Sequence, residues 1–190
     1  MRPSILAKTL ALLMIVLMAT VSVASAASVS EKRSSVRNTA KKTLNRLYSI
    51  HPSAREAVKN AAGYAVFSIS DFKLVFLGGG GGKGLAVNNA TRKETFMKTG
   101  DVQVGLGLGL KSYQVVFVFE TNEAYENFVN NGWDVGGQAT VAATDSVSGG
   151  SLQGAISVGH DVWMYQMTDK GLEASLTVRG IRYYKDSELN

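Results

Sequence analysis

The sequence has no cysteine and only two histidines among its 190 residues, so several kinds of active site lack their usual side chains. Without cysteine there is no disulfide, no thiol nucleophile and no lipobox cysteine to carry a lipid anchor of that type. His51 precedes a proline at a predicted helix break. His160 is next to Asp161, and in a strand these two side chains would point to opposite faces. With no Gly-x-Ser-x-Gly elbow and no metal-ligand spacing, we predict neither an enzyme nor a metal or cofactor site.

The first 26 residues have the composition of a secretory signal peptide. Arg2 and Lys8 form a basic start, residues 10–18 are apolar, and Ala24-Ser25-Ala26 provides the small residues of a cleavage site. The apolar stretch is shorter than the ~20 residues that span a bilayer, and a retained N-terminal anchor is the alternative interpretation. We predict an exported protein that is periplasmic or peripherally associated with a membrane.

The segment after the signal peptide, residues 27–62, is predicted to be helical and basic. Its apolar residues recur at helical spacing: Val36, Ala40, Leu44, Leu47 and Tyr48. Residues 31–59 hold eight Lys or Arg against two Glu, whereas residues 60–190 have more acidic than basic side chains. Such a stripe is typical of a solvated outer face or of an amphipathic helix on an anionic membrane.

Five consecutive glycines, Gly78–Gly82, stand before Lys83 and invite a comparison with phosphate-binding loops. A P-loop needs glycine where this chain has Leu77, and Ser or Thr where it has Gly84. The dinucleotide-binding glycine pattern fits only because five glycines match it by chance, and the next segment has strand character. We therefore predict no nucleotide binding.

A second glycine-patterned stretch, residues 102–111, alternates glycine with apolar side chains. A strand face without side chains lets the sheet bend or lets another element approach its backbone closely. We predict this role for the glycine run and for three further glycines: Gly105, Gly107 and Gly109.

From Tyr64 onwards the hydrophobic pattern alternates, which favours strands. We predict a strand over 64–69, a turn at 71–73, further hairpin-linked strands, and a short helix over 121–131 that ends at Gly132. The predicted fold class is α+β, with N-terminal helices followed by a curled, barrel-like antiparallel β-sheet and one inserted short helix. Residues 63–190 form the β-rich domain, in one globular unit with 27–62. Trp133 and Trp163 are expected in the core or at its rim, so we predict no nucleic-acid partner.

Several short motifs follow one another in the order and spacing of a known family. They are 62–67 (AGYAVF), 82–85 (GKGL), 95–98 (TFMK), 104–107 (VGLG), 115–119 (VVFVF), 132–133 (GW), 136–139 (GGQA), 162–165 (VWMY) and 171–172 (GL). Over residues 60–190 the chain resembles the SYLF domain family, the lipid-binding module of yeast and animal actin-patch proteins (the Ysc type), which also has exported bacterial members. It departs from that family at Ser68, where proline is frequent, and in having no cysteine for acylation.

The resemblance implies binding of anionic lipids, with a basic helix ahead of the sheet contributing to it. Because of the resemblance, we interpret five cations as membrane contacts and no longer as a solvated helix face. They are Arg33, Arg37, Lys41, Lys42 and Arg46. Lys83 is the one residue of the glycine run suited to touching an anion. The predicted function is an exported, non-enzymatic module on anionic phospholipid surfaces. The alternatives are a small integral outer-membrane β-barrel and a periplasmic structural protein, and no protein partner is assigned.

Overall fold

The computed structural model describes residues 5–135, 150–169, 171–172 and 181–190, with side chains in 28–71, 78–100, 112–133, 150–169 and 181–190. The helices are α1 (Ile5–Ile50), α2 (Ala54–Asn60) and α3 (Asn122–Asn131), and a short 3-10 helix spans Gly150–Leu152. The strands are β1 (Gly63–Asn88), β2 (Glu94–Phe119), β3 (Trp133–Val135), β4 (Ile156–Gly159), β5 (Val162–Thr168), β6 (Gly171–Leu172) and β7 (Ile181–Lys185). The predicted fold class, helices first and then a curled antiparallel sheet with one inserted helix, is confirmed.

The chain forms two compact units, Met1–Ser35 and Val36–Asn190. The first contains the beginning of α1, and the second contains the rest of α1 together with the sheet. Among the residues that the structure describes, no helix is both long and apolar enough to cross a membrane. The predicted small-residue strand at 136–143 lies outside the described residues.

Strands β1 and β2 form one long antiparallel hairpin, paired from Gly63 opposite Phe119 to Val87 opposite Glu94. The turn predicted at 71–73 is therefore wrong, because these residues continue β1 and Asp71 pairs with Lys111. A polar Asp-Phe-Lys triplet resembles a turn in sequence. In the fold, the neighbouring strand satisfies its backbone groups, and the Asp71 side chain is buried.

The glycine run allows β1 to curl back on itself. A Cβ added to Gly82 would collide with the carbonyl oxygen of Ser68, and one added to Gly84 would collide with the Phe67 ring. In a straight strand the fourteen residue-to-residue steps from Ser68 to Gly82 would span about 46 Å. Their contact shows that the sheet closes towards a barrel. The prediction that bare backbone meets another part of the sheet is confirmed here, whereas the surroundings of residues 101–111 lie outside the described side chains.

The remaining strands extend this hairpin into a seven-stranded antiparallel sheet. Strand β2 pairs with β5 near its end and with β7 near its start, β3 pairs with β7, and both β4 and β6 pair with β5. Aromatic rings fill the core, where the centroid of Phe67 lies 4.8 Å from that of Tyr183, and Phe119 lies 4.9 Å from Phe128. Trp133 packs against this cluster, as expected.

Helix α3 begins and ends as its sequence predicts. The Thr121 hydroxyl accepts a hydrogen bond from the Ala124 amide at 3.3 Å, which caps the first turn. Gly132 ends the helix with φ +71°, a backbone conformation that favours glycine. Tyr125, Phe128 and Val129 face the core, so α3 covers one end of the sheet.

Candidate functional site

The six cations predicted to bind lipid are distributed over both units and two kinds of element. Arg33 lies on α1 in the unit Met1–Ser35, and Lys83 lies on β1. The other four lie on α1 within the unit Val36–Asn190: Arg37, Lys41, Lys42 and Arg46. Their neighbours divide these four into two groups with different surroundings.

The apolar stripe of α1 is part of the core of the second unit. Val36, Ala40 and Leu47 are at most 6% exposed, and Thr43 between them is equally buried. A membrane-surface helix inserts such a stripe between lipid headgroups. Residues 36–47 of α1 therefore keep their apolar side buried and expose charged side chains on the other side.

Arg37 is bound to the start of β2. Its Nε donates to the Glu94 carboxylate at 2.7 Å, and its guanidinium carbon lies 5.1 Å from the centroid of the Phe96 ring. Both charged side chains are about one-third to one-half exposed, so the ion pair is screened by solvent. Arg37 thus tethers α1 to the hairpin more than it presents a free charge.

Arg46 is engaged still more deeply. One terminal nitrogen donates to the Gln114 side-chain oxygen at 3.0 Å on β2, and the other donates to the Thr168 carbonyl at the end of β5. These half-buried bonds use the fork geometry of the guanidinium to link the helix to two strands. Arg46 is therefore placed as a residue that positions α1.

Lys41 and Lys42 face solvent on the side of α1 away from the buried stripe. Within the part of the chain that the structure describes, neither makes a hydrogen bond or an ion pair. Lys83 is also exposed, between Gly82 and Gly84 on the outer face of β1. Its cross-strand neighbour is Lys98, which turns to Asp186 at 3.9 Å.

Sequence reasoning missed a second group of cations, on α2 and in the turn between β1 and β2. The guanidinium carbon of Arg55 lies 4.5 Å from the centroid of the Tyr48 ring, and Arg92 has φ 60° in the turn. The sequence does place Arg92 and Lys93 in a turn, because they follow the Asn88-Asn89 pair, which predicts a hairpin turn. The turn is next to α2 only in the folded protein, through hydrogen bonds from Asn89 to Val58 and Ala61. The spacing of residues along the chain does not reveal this contact.

The expectation that His160 and Asp161 point apart is wrong. They form the turn between β4 and β5, where Asp161 has φ 59° and its carboxylate lies 3.1 Å from His160 Nδ1. The Thr121 hydroxyl donates to the other carboxylate oxygen at 3.1 Å. It therefore binds the aspartate and not the imidazole, so these three side chains do not have the nucleophile–histidine–aspartate order of a catalytic triad.

Beside this turn, a cleft of about 200 Å³ opens between α3, β3 and β5. Its walls include Phe119, Phe128, Trp133 and Val162, with His160 at the rim. Asn127 also lines the cleft, so apolar and polar side chains share its walls. No group of three or more metal-ligating side chains occurs among the described residues.

Known protein sequences are similar to this chain. Residues 100–190 match the Ysc84 family model, described as Las17-binding protein actin regulator. Beta cell expansion factor A of Aeromonas veronii is 32% identical over 169 residues, which cover 85% of this chain and 60% of that protein. The chain thus spans about 60% of the length of this curated relative. Residues 100–190 therefore match the family that the sequence motifs resemble, the Ysc84 (SYLF) family.

Proposed function

We propose that this protein is an exported, non-enzymatic module that binds anionic phospholipid surfaces. One observation carries the proposal: α1 buries its apolar side in the fold and leaves Lys41 and Lys42 exposed on the other side. The match of residues 100–190 to the SYLF family supports it, and so does the excess of basic over acidic residues in the helical segment. The signal-peptide features of residues 1–26 support export to the compartment where such a surface is met.

The proposed contact is electrostatic and shallow. Each lysine near an anionic membrane contributes roughly 1 kcal/mol, and the attraction falls off within a Debye length of about 10 Å at 0.1 M salt. Binding should therefore weaken as salt is added and should require anionic lipid. A helix that inserted its apolar side would retain affinity at high salt, because burial of apolar surface is not screened.

Liposome flotation tests this function. The full chain is expressed in an exporting bacterial host and used in the form that the host delivers, with phosphatidylcholine vesicles that contain or lack phosphatidylglycerol. We expect flotation only with phosphatidylglycerol, and a loss of affinity of about thirty-fold in the variant K41Q/K42Q. The matched control is Lys185→Gln, which removes one exposed cation from β7. Equal flotation of K41Q/K42Q and the parent protein would refute the role of α1.

Two further measurements separate the alternatives. Carbonate extraction of membranes from the expressing host should release the protein, because a peripheral electrostatic contact does not survive high pH, whereas an integral protein stays in the pellet. N-terminal sequencing of the released form should begin at Ala27 if the signal peptide is cleaved as predicted. A protein that remains in the membrane fraction would favour the integral alternative.

A further inference from the structure

The turn that joins β1 to β2 is built around Asn88. Its side-chain oxygen accepts from the amides of Ala90 and Thr91 at 3.1 and 3.0 Å, and its own backbone pairs with Lys93 and Arg92. Side-chain mimicry of a backbone turn is the usual way in which asparagine fixes such a loop. The backbone conformation of the turn is therefore set by Asn88, independently of the cations that follow it.

The turn is also fixed to helix α2. The Asn89 side-chain amide donates to the carbonyl oxygens of Val58 at 2.7 Å and Ala61 at 2.8 Å, and its backbone amide donates to Ala62 at 2.9 Å. These bonds satisfy carbonyl groups at the end of the helix that have no partner within it. Helix α2 and the turn therefore form one rigid surface.

Arg92 occupies a position in this turn that is unfavourable for its residue type. Its φ of 60° lies in the left-handed region, which glycine adopts without the steric cost of a side chain. Glycine would thus adopt this backbone conformation at a lower steric cost than arginine. What Arg92 adds to the turn is its exposed guanidinium, so strain at this position indicates a role for the side chain.

Two half-buried tyrosines lie between the cations of this surface. The Arg55 guanidinium stacks on Tyr48, while Arg92 is close enough to Tyr64 to lower its pKa against the larger, raising effect of burial. The phenols themselves interact, since Tyr64 raises the pKa of Tyr48. Tyrosines of this kind, with a buried ring and a polar tip, are common at the boundary between a membrane and water.

Acidic neighbours on these elements offset only part of the positive charge. Glu56 lies 3.9 Å from Lys59, whereas Glu94 pairs with Arg37 on α1. We call the four exposed cations of α2 and the turn the turn patch: Arg55, Lys59, Arg92 and Lys93. They lie on a helix and on the turn that is hydrogen-bonded to it, so several separate cations are exposed on one surface, as contact with several headgroup phosphates requires.

We propose that the turn patch is a second membrane-contact surface, in which Arg92 and Lys93 bind the phosphates of anionic lipid headgroups. This inference rests on the proposed function, but it assigns contact to residues outside α1. The attachment of the turn to α2 fixes the turn backbone before binding, so that only the side chains of its cations are ordered on the membrane. Arg92 presents its exposed guanidinium from a left-handed backbone position, where its amide donates to the Asn88 carbonyl at 2.9 Å.

The test uses the same exported protein and vesicles with and without phosphatidylglycerol. Arg92→Gly should bind phosphatidylglycerol vesicles about five-fold more weakly while its thermal midpoint rises, because charge and strain are removed together. Arg92→Lys should bind like the parent protein, and R92G/K93Q should lose about thirty-fold. Lys185→Gln is again the matched control and should bind unchanged.

The outcomes separate the two proposals. A parent protein that shows no preference for phosphatidylglycerol overturns both the proposed function and the turn patch. A parent protein that binds, together with R92G/K93Q variants that bind equally well, overturns the turn patch alone. Weaker binding by a more stable Arg92→Gly variant supports the inference, because a damaged fold would lower both quantities.

Discussion

Helix α1 and the β1–β2 turn are both rich in cations, but the fold uses them differently. On α1, Arg37 and Arg46 are bound to the sheet through Glu94, Gln114 and the Thr168 carbonyl. In the turn, the backbone is held by asparagines, and the cations take no part in its hydrogen bonds through their side chains. The comparison teaches that a regular spacing of charges on a helix does not distinguish cations that hold the fold from cations that face a partner.

The largest effect that tests this difference is expected at Arg46. Arg46→Ala removes two hydrogen bonds from a charged donor in a half-buried site and leaves the Thr168 carbonyl without this partner. We expect the free energy of unfolding to fall by about 2–3 kcal/mol. Urea denaturation measures it, with Lys42→Ala as the matched control on the exposed side of α1, where a change within about 0.5 kcal/mol is expected. Similar losses in the two variants would contradict the division of the α1 cations.

A smaller effect, of opposite sign, is expected at the turn. Arg92→Gly relieves a left-handed backbone conformation, so the free energy of unfolding should rise by about 1 kcal/mol. Arg92→Ala removes the same charge but keeps a Cβ at φ 60°, and should give no such gain. The same urea titration compares the two. A gain in both variants would show that charge repulsion, and not backbone strain, is what the substitution relieves.

Arg37 should give a still smaller effect, because its ion pair with Glu94 is exposed. We expect a coupling energy of about 0.5 kcal/mol in a double-mutant cycle of Arg37→Gln and Glu94→Gln. Added salt should reduce this coupling, since exposed pairs are screened. A coupling well above 1 kcal/mol would place Arg37 with Arg46, as a residue that the fold depends on.

Much of the fold follows from local patterns, and most of the site does not. Helix α1 is predicted from its 3.6-residue hydrophobic period, and the ends of α3 from Thr121 and Gly132. These patterns extend over only one or two helical turns, so they can be recognised in the sequence. The continuous strand through Asp71 depends on its pairing with Lys111, forty residues later. The same holds for the engagement of Arg46, because its partners lie on β2 and at the end of β5. Charge spacing identified the cations, but only tertiary contacts show which of them are already used.

The smallest predicted effect concerns the titration of Tyr64 beside the turn patch. Burial raises the pKa of Tyr64 above 10.0, while Arg92 lowers it and Glu94 raises it. Because the folded pKa exceeds the unfolded one, neutral Tyr64 contributes stability that is full below pH 10.0 and is lost as the pH rises through the folded value. Arg92→Gly should move the Tyr64 titration to higher pH, whereas Arg92→Lys should leave it near that of the parent protein. NMR of labelled tyrosine rings measures both, with Tyr64→Phe to assign the signal. An identical titration in parent and Arg92→Gly proteins would mean that the guanidinium does not reach Tyr64 in solution, so that Tyr64 is not a neighbour of the turn patch.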